Sequence, residues 1–168
     1  MIALQINTWN QNRQDRIQEQ QILVQLLNEY ENNLIQINQK IFIRNETVSS
    51  SFKLLNYKND ETQNVVADSF NLHLGRMITQ STFNPELGVT TELTSSGKLY
   101  LLTNASLRNN ITSFPSFLDE LGEEEMVTSN LTEERFTPFI MEHYQFGKII
   151  GEQFNDEYIK KQNNLCIS

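Results

Sequence analysis

The sequence predicts an all-α domain, an elongated bundle of about four to six helices built around one long N-terminal helix. Three observations lead there. Apolar residues recur three and four positions apart along most of the 168 residues, no glycine or proline occurs before Gly75, and the one strand-like stretch, 98–102, has no second alternating segment to pair with. A chain of this length with 38% hydrophobic residues can bury a core large enough to fold alone.

The longest periodic signal comes first. Leu23, Leu27, Tyr30, Leu34, Ile37 and Ile41 follow at gaps of 4, 3, 4, 3 and 4, with Gln and Asn filling most positions between, and this predicts a helix over 11–44. At 1.5 Å per residue it would be roughly 50 Å long. Its apolar stripe is expected to be covered by other helices of the same chain, with a partner chain as the alternative. Val48, Phe52 and Leu55 continue the spacing past Glu46. Asp60 with Gln63 resembles a capping box, and Val66, Phe70, Leu74 and Met77 form the face of a second helix over 61–80. Asn84-Pro85 ends it, because the residue before a proline is pushed out of the helical region.

A short helix over 85–94 stops at Ser95-Ser96-Gly97, where Gly97 can turn left-handed, and 98–102 reads as a buried connector. Asn104 is an N-cap for a helix that repeats Leu107, Ile111, Phe114, Leu118 and Leu121, with Pro115 expected to kink it. Met126, Val127, Leu131 and Phe136 carry the pattern on until Pro138, which is expected to break it. From Gly147 the periodicity is weak, with Phe154, Tyr158 and Ile159 as anchors and fraying expected past Lys160.

Thirteen Lys and Arg against 21 Asp and Glu leave a net charge of -8, which argues against a chain that grips nucleic acid by neutralising phosphates. Seven acids, Asp119, Glu120, Glu123, Glu124, Glu125, Glu133 and Glu134, lie in one stretch without Lys or Arg. Glutamates are good helix formers, so this stretch reads as a solvated helix face rather than a dock for a basic partner. The 20 Asn and 14 Gln are scattered among apolar residues instead of forming a low-complexity tract. Asn-x-Ser/Thr occurs at Asn45, Asn104, Asn110 and Asn130, close to the number expected by chance from this composition, and carries no weight. The single cysteine, Cys166, allows neither an intrachain disulfide nor a cysteine metal site. No run approaches the roughly 18 apolar residues that cross a bilayer.

The residues that could carry chemistry are few. His73 lies between Leu72 and Leu74 and reads as a histidine at the edge of the core, and His143 is flanked by Glu142 and Tyr144; neither has a partner at metal-ligand spacing. The six glycines form no phosphate loop, and Gly147 with Gly151 makes a G-x-x-x-G outside any apolar span. There is no catalytic constellation, and no metal or cofactor is expected.

The start of the chain is suggestive. Ile2, Ala3, Leu4 and Ile6 precede Trp9, Arg13 and Arg16, which is the order met on leaving a bilayer, where Trp prefers the interface and Arg the headgroups. The run Ile2-Ala3-Leu4-Gln5-Ile6-Asn7-Thr8-Trp9-Asn10-Gln11-Asn12-Arg13 resembles the junction of a bacterial family of unknown function, family 6090, in which one membrane helix leads into an I-A-L-Q-I-N-x-W-N segment and a long polar helix. Thr82-Phe83-Asn84-Pro85, Gly88, Leu93, Ser96-Gly97-Lys98-Leu99, Leu102, Asn104 and Leu107-Arg108-Asn109 are similar to a second block of that family. The similarity of layout extends from Ile2 to about Phe146.

The resemblance implies an anchor helix upstream of Met1, a C-terminal helix pair beyond this chain, and a single-pass protein of the bacterial inner membrane with its soluble domain on the periplasmic side. Arg13 and Arg16 argue for the cytoplasmic side by the positive-inside tendency. The expected organisation is a juxtamembrane-like segment 1–10, a helical domain 11–146 and a weakly structured tail 147–168. The expected function is a membrane-tethered interaction or sensing domain without catalysis, with the membrane and a protein as partners. Two rivals stand beside it. One is a hydrolase-like site between helices using His143, His73 and acids of 119–134, and the other is a helical self-association module, coiled coil in kind, that buries the 23–41 stripe between two copies.

Overall fold

A computed structural model describes residues 2–57 and 67–155. The chain is all-α, and among the described residues there is no strand. The elements are α1 (Ile2–Tyr57), α2 (Ala67–Ile78), α3 (Gly88–Ser95), a 3-10 turn (Lys98–Leu101), α4 (Ala105–Leu131), a π-helical turn (Thr132–Phe136), α5 (Thr137–His143) and α6 (Phe146–Asn155). With no glycine or proline to interrupt it, α1 outruns the predicted 11–44 in both directions and takes in the segment 1–10 from Ile2 onward. The Asp60 and Gln63 capping box, Val66, Tyr158, Ile159 and Cys166 lie outside the described residues, as does the side chain of Phe154.

The chain forms two compact units, 1–36 with 84–121 and 37–83 with 122–168. In the first, Leu26 of α1 packs with Leu93 of α3, Leu102 and Ile111 of α4, with Ile22, Tyr30, Val89, Leu99 and Leu107 around them. The Tyr30 and Phe114 rings meet at 5.3 Å between centroids. In the second, Leu74 of α2, Ile140 of α5 and Ile149 of α6 form the core with Leu54, Phe70, Ile78 and Phe146.

Several expectations need correction. The stripe from Leu23 to Ile41 is covered only in part by the chain's own helices: Tyr30 packs on the first core and Ile37 is half-buried, but Leu23, Leu27, Leu34 and Ile41 are 38%, 57%, 59% and 50% exposed. The buried positions of α1 are instead Leu26, Glu29 and Asn33 in the first unit and Ile43 and Ser50 in the second. The third helix begins at Gly88 rather than 85, because the Glu86 backbone is already committed to Asn33 through both its N–H and its carbonyl. Pro138 breaks nothing. The helix passes through the π-helical turn, where the Thr137 N–H reaches the Thr132 carbonyl, and continues as α5 with Pro138 at its start. Pro115 lies inside α4, as its place in the periodic pattern predicts. The stretch after Gly147 is not weakly structured as far as Asn155: α6 packs on α2, and Ile149 is fully buried.

Other readings hold. Gly97 is left-handed with φ of 71°, a conformation that costs a residue without Cβ little. Asn104 caps α4 by accepting the Leu107 N–H at 3.0 Å. In the connector, Leu101 and Leu102 are buried, although Tyr100 between them and Leu99 faces solvent.

Candidate functional site

The two histidines occupy different settings. His73, on α2, is buried, with Nδ1 3.2 Å from the Ser50 hydroxyl of α1 and its ring 6.4 Å from that of Tyr57. Ser50 is fully buried, so the pair offers no route for a substrate; what it does is join α2 to α1. His143 is exposed on α5, stacked on Phe139 at 4.3 Å, and its Nδ1–H donates to the Phe139 carbonyl at 2.9 Å. Glu142 stands 4.0 Å from it, both side chains being half exposed or more. Among the described residues, no group of three or more His, Cys, Asp or Glu side chains is placed to hold a metal ion.

The acid run divides by role. Asp119, Glu120, Glu123, Glu124, Glu133 and Glu134 face solvent, as a solvated face should. Glu125 turns inward within the second unit, where it accepts from Arg44 at 2.8 Å and from the Phe83 N–H at 3.1 Å. Arg44 also donates to the Ser81 carbonyl at 3.4 Å. This ion pair stands at the rim of a cavity of about 260 Å³ whose walls include Ile43, Val48, Met77 and Thr132.

The inward side of α1 in the first unit is a set of polar clasps on backbone that has no helical partner. The first turn of α3 needs acceptors for its free N–H groups, and Leu87 at its N-cap position has none to offer. Glu29 supplies them, accepting from the Val89 N–H at 2.6 Å, the Thr90 N–H at 3.1 Å and the Thr90 hydroxyl at 2.6 Å. One turn along, Asn33 accepts the Glu86 N–H and donates to the Glu86 carbonyl, each at 2.7 Å. Glu19 accepts from the Thr103 N–H at 2.5 Å and the Thr103 hydroxyl at 2.7 Å. The backbone N–H bond, then the hydroxyl, hold the Glu19 carboxyl below its ordinary value, with Arg16 adding to the effect and desolvation opposing it. Sequence reasoning passed over Glu29 and Asn33; the signal was Leu87, an N-cap residue unable to cap.

These contacts explain one block of the resemblance. Phe83 is buried, Gly97 makes the turn, Leu102 is core, Asn104 caps α4, and Arg108 donates to the Leu102 carbonyl. The other block behaves differently: Leu4, Ile6 and Trp9 are 72%, 55% and 62% exposed, and the Arg13 guanidinium lies 5.8 Å from the Trp9 ring centre.

Compared with known proteins, residues 1–119 match the model of a family of unknown function (DUF6090). No curated protein and no solved structure matches the chain.

Proposed function

The chain belongs to the DUF6090 family, and from that premise we propose that it is a helical interaction domain, without catalysis, tethered to a bacterial inner membrane by a single helix upstream of Met1. The observation that carries the reading is the contrast between the two blocks. The 82–109 block is spent on packing and capping. In the 2–13 block Leu4, Ile6 and Trp9 remain in solvent, although burying a large apolar side chain would contribute about 1.5–3 kcal/mol. Apolar residues, then Trp9, then Arg13 and Arg16 on one helix suit a passage from hydrocarbon through interface to headgroups. The interaction element of the proposal, coiled coil in kind, rests on the outer face of α1, where Leu27, Leu34, Ile41, Val48 and Leu55 are all at least half exposed.

The test is to express the natural gene with a C-terminal alkaline phosphatase fusion and separate the membranes. The expected result is a product that stays with the membrane through carbonate washing and an active phosphatase, which places the domain on the periplasmic side. Release into the soluble fraction would end the tether reading, and an inactive phosphatase on a membrane-bound product would place the domain in the cytoplasm, the side Arg13 and Arg16 favour.

A further inference from the structure

We propose that the outer face of α1 docks against the same face of a second copy of this chain, parallel and in register. The inference rests on the interaction reading above and is independent of the tether.

The first support is spacing. Leu27 and Leu34 in the first unit, and Ile41, Val48 and Leu55 in the second, stand seven residues apart in sequence, and their exposures are 57%, 59%, 50%, 52% and 61%. A straight helix drifts by about 20° per seven residues, so five apolar residues in strict heptad register form a seam only for another helix that winds with this one. A flat surface or a small pocket has no use for that period.

The second support is what stands three residues before each member of the row: Val24, Glu31, Asn38, Asn45 and Phe52. These complete an a/d pattern with the apolar row at d, and all five are exposed. Asparagine at a is the residue that sets register in parallel pairs, because a buried amide is satisfied only by the same amide on a helix in register. Two successive asparagines, Asn38 and Asn45, therefore point to a like partner. A foreign helix would have to match both.

The third support is area. The two rows, with the exposed Leu23, Ile35 and Phe42 beside them, offer roughly 1,000 Å² of apolar surface, above the ~800 Å² per partner of a standard stable interface. Glu31 is the one residue that opposes such a pairing, since the in-register arrangement sets it against Glu31 of the second copy.

Sedimentation velocity on the 168-residue chain, from low to high micromolar, tests the proposal. The expected result is a dimer. The double variant Leu34→Glu with Ile41→Glu should weaken it by roughly a hundredfold or more while leaving the far-ultraviolet dichroism of the monomer unchanged. Glu31→Gln should tighten it by roughly two- to fivefold. On a Cys166→Ser background, Asn38→Cys should oxidise to a covalent dimer. A chain that stays monomeric at high micromolar concentration overturns the proposal while leaving the tether reading intact. So does a dimer that survives the double variant, or an Asn38→Cys chain that never crosslinks while still dimeric.

Discussion

In the first unit the two faces of α1 reverse the usual order. Glu29 and Asn33 face inward at 6% and 4% exposure, while Leu27 and Leu34, on neighbouring turns, are more than half exposed. An isolated carboxylate is among the most expensive groups to bury, but Glu29 receives three donors, and each hydrogen bond to a charged group contributes about 1.5–3 kcal/mol. What this face offers is an acceptor set for backbone that helices leave unpaired. The outer face leaves Leu27 and Leu34 to solvent. Burial on this stretch of α1 therefore serves two needs, apolar packing at Leu26 and acceptors for the connecting segment 82–90 at Glu29 and Asn33.

The substitution that strikes hardest at this account is Glu29→Leu. Hydropathy alone would favour a leucine beside Leu26 and Leu93. The structure predicts a loss of about 3 kcal/mol, because the Val89 and Thr90 N–H groups would lose their acceptor and the Thr90 hydroxyl would keep only the Tyr30 hydroxyl at 3.3 Å. Urea unfolding gives the magnitude, and faster amide exchange at Val89 and Thr90 gives the location. An unchanged midpoint would remove the clasp from the explanation of the fold.

Asn33→Leu sharpens the same contrast at a smaller scale. It removes two hydrogen bonds of 2.7 Å to the backbone of one residue, Glu86, for an expected cost of about 2 kcal/mol. Asn33→Asp, which keeps the acceptor for the Glu86 N–H but loses the donor to its carbonyl, should fall between Asn33→Leu and the wild type. If it proves worse than Asn33→Leu, repulsion between the new carboxylate and the Glu86 carbonyl outweighs the retained bond.

On the other face, Leu27→Gln with Leu34→Gln should change the unfolding free energy of the monomer by no more than about 0.5 kcal/mol, measured at a concentration low enough to keep copies apart. A loss of several kcal/mol would mean that these leucines are already covered within one chain.

The same contrast shows what could be read from the amino acids. Local signals were legible: Asn104 as a cap, Gly97 as a left-handed turn and the helical content of 11–44 depend on residues close in sequence. The buried face of α1 was not, since Glu29 and Asn33 meet partners 53 to 61 residues away and nothing within α1 announces them. The Pro138 reading diverged from the structure because the backbone enters α5 through a π-helical turn, which places the proline at the start of that helix. The short α6 was missed because its burial is set by Phe146, Ile149 and packing on α2, too few residues for a period to emerge. The place of His73 at the edge of the core was legible, but Ser50 as its partner was not.

The smallest expected effect is a pH dependence at the solvent edge of the clasp. Glu19 has its carboxyl lowered from 4.5 by the Thr103 N–H and hydroxyl. A carboxylate more acidic in the folded state binds fewer protons there than in the unfolded chain, so stability rises with pH across that interval. The Glu19 contribution is thus fully present above pH 4.5 and is lost as pH falls through the lowered folded value. Glu19→Gln should flatten the stability profile over that acid interval and leave it nearly unchanged at neutral pH, because the amide oxygen still accepts from Thr103. Glu29→Gln supplies the internal comparison. Its amide would keep one oxygen for Thr90 or for Val89 and would turn an N–H₂ toward the other, so its loss should appear at neutral pH, where Glu19→Gln is silent. A profile in which Glu19→Gln costs as much at neutral pH as Glu29→Gln would show that the exposed and the buried clasp do the same work, and the distinction between them would have no energetic content.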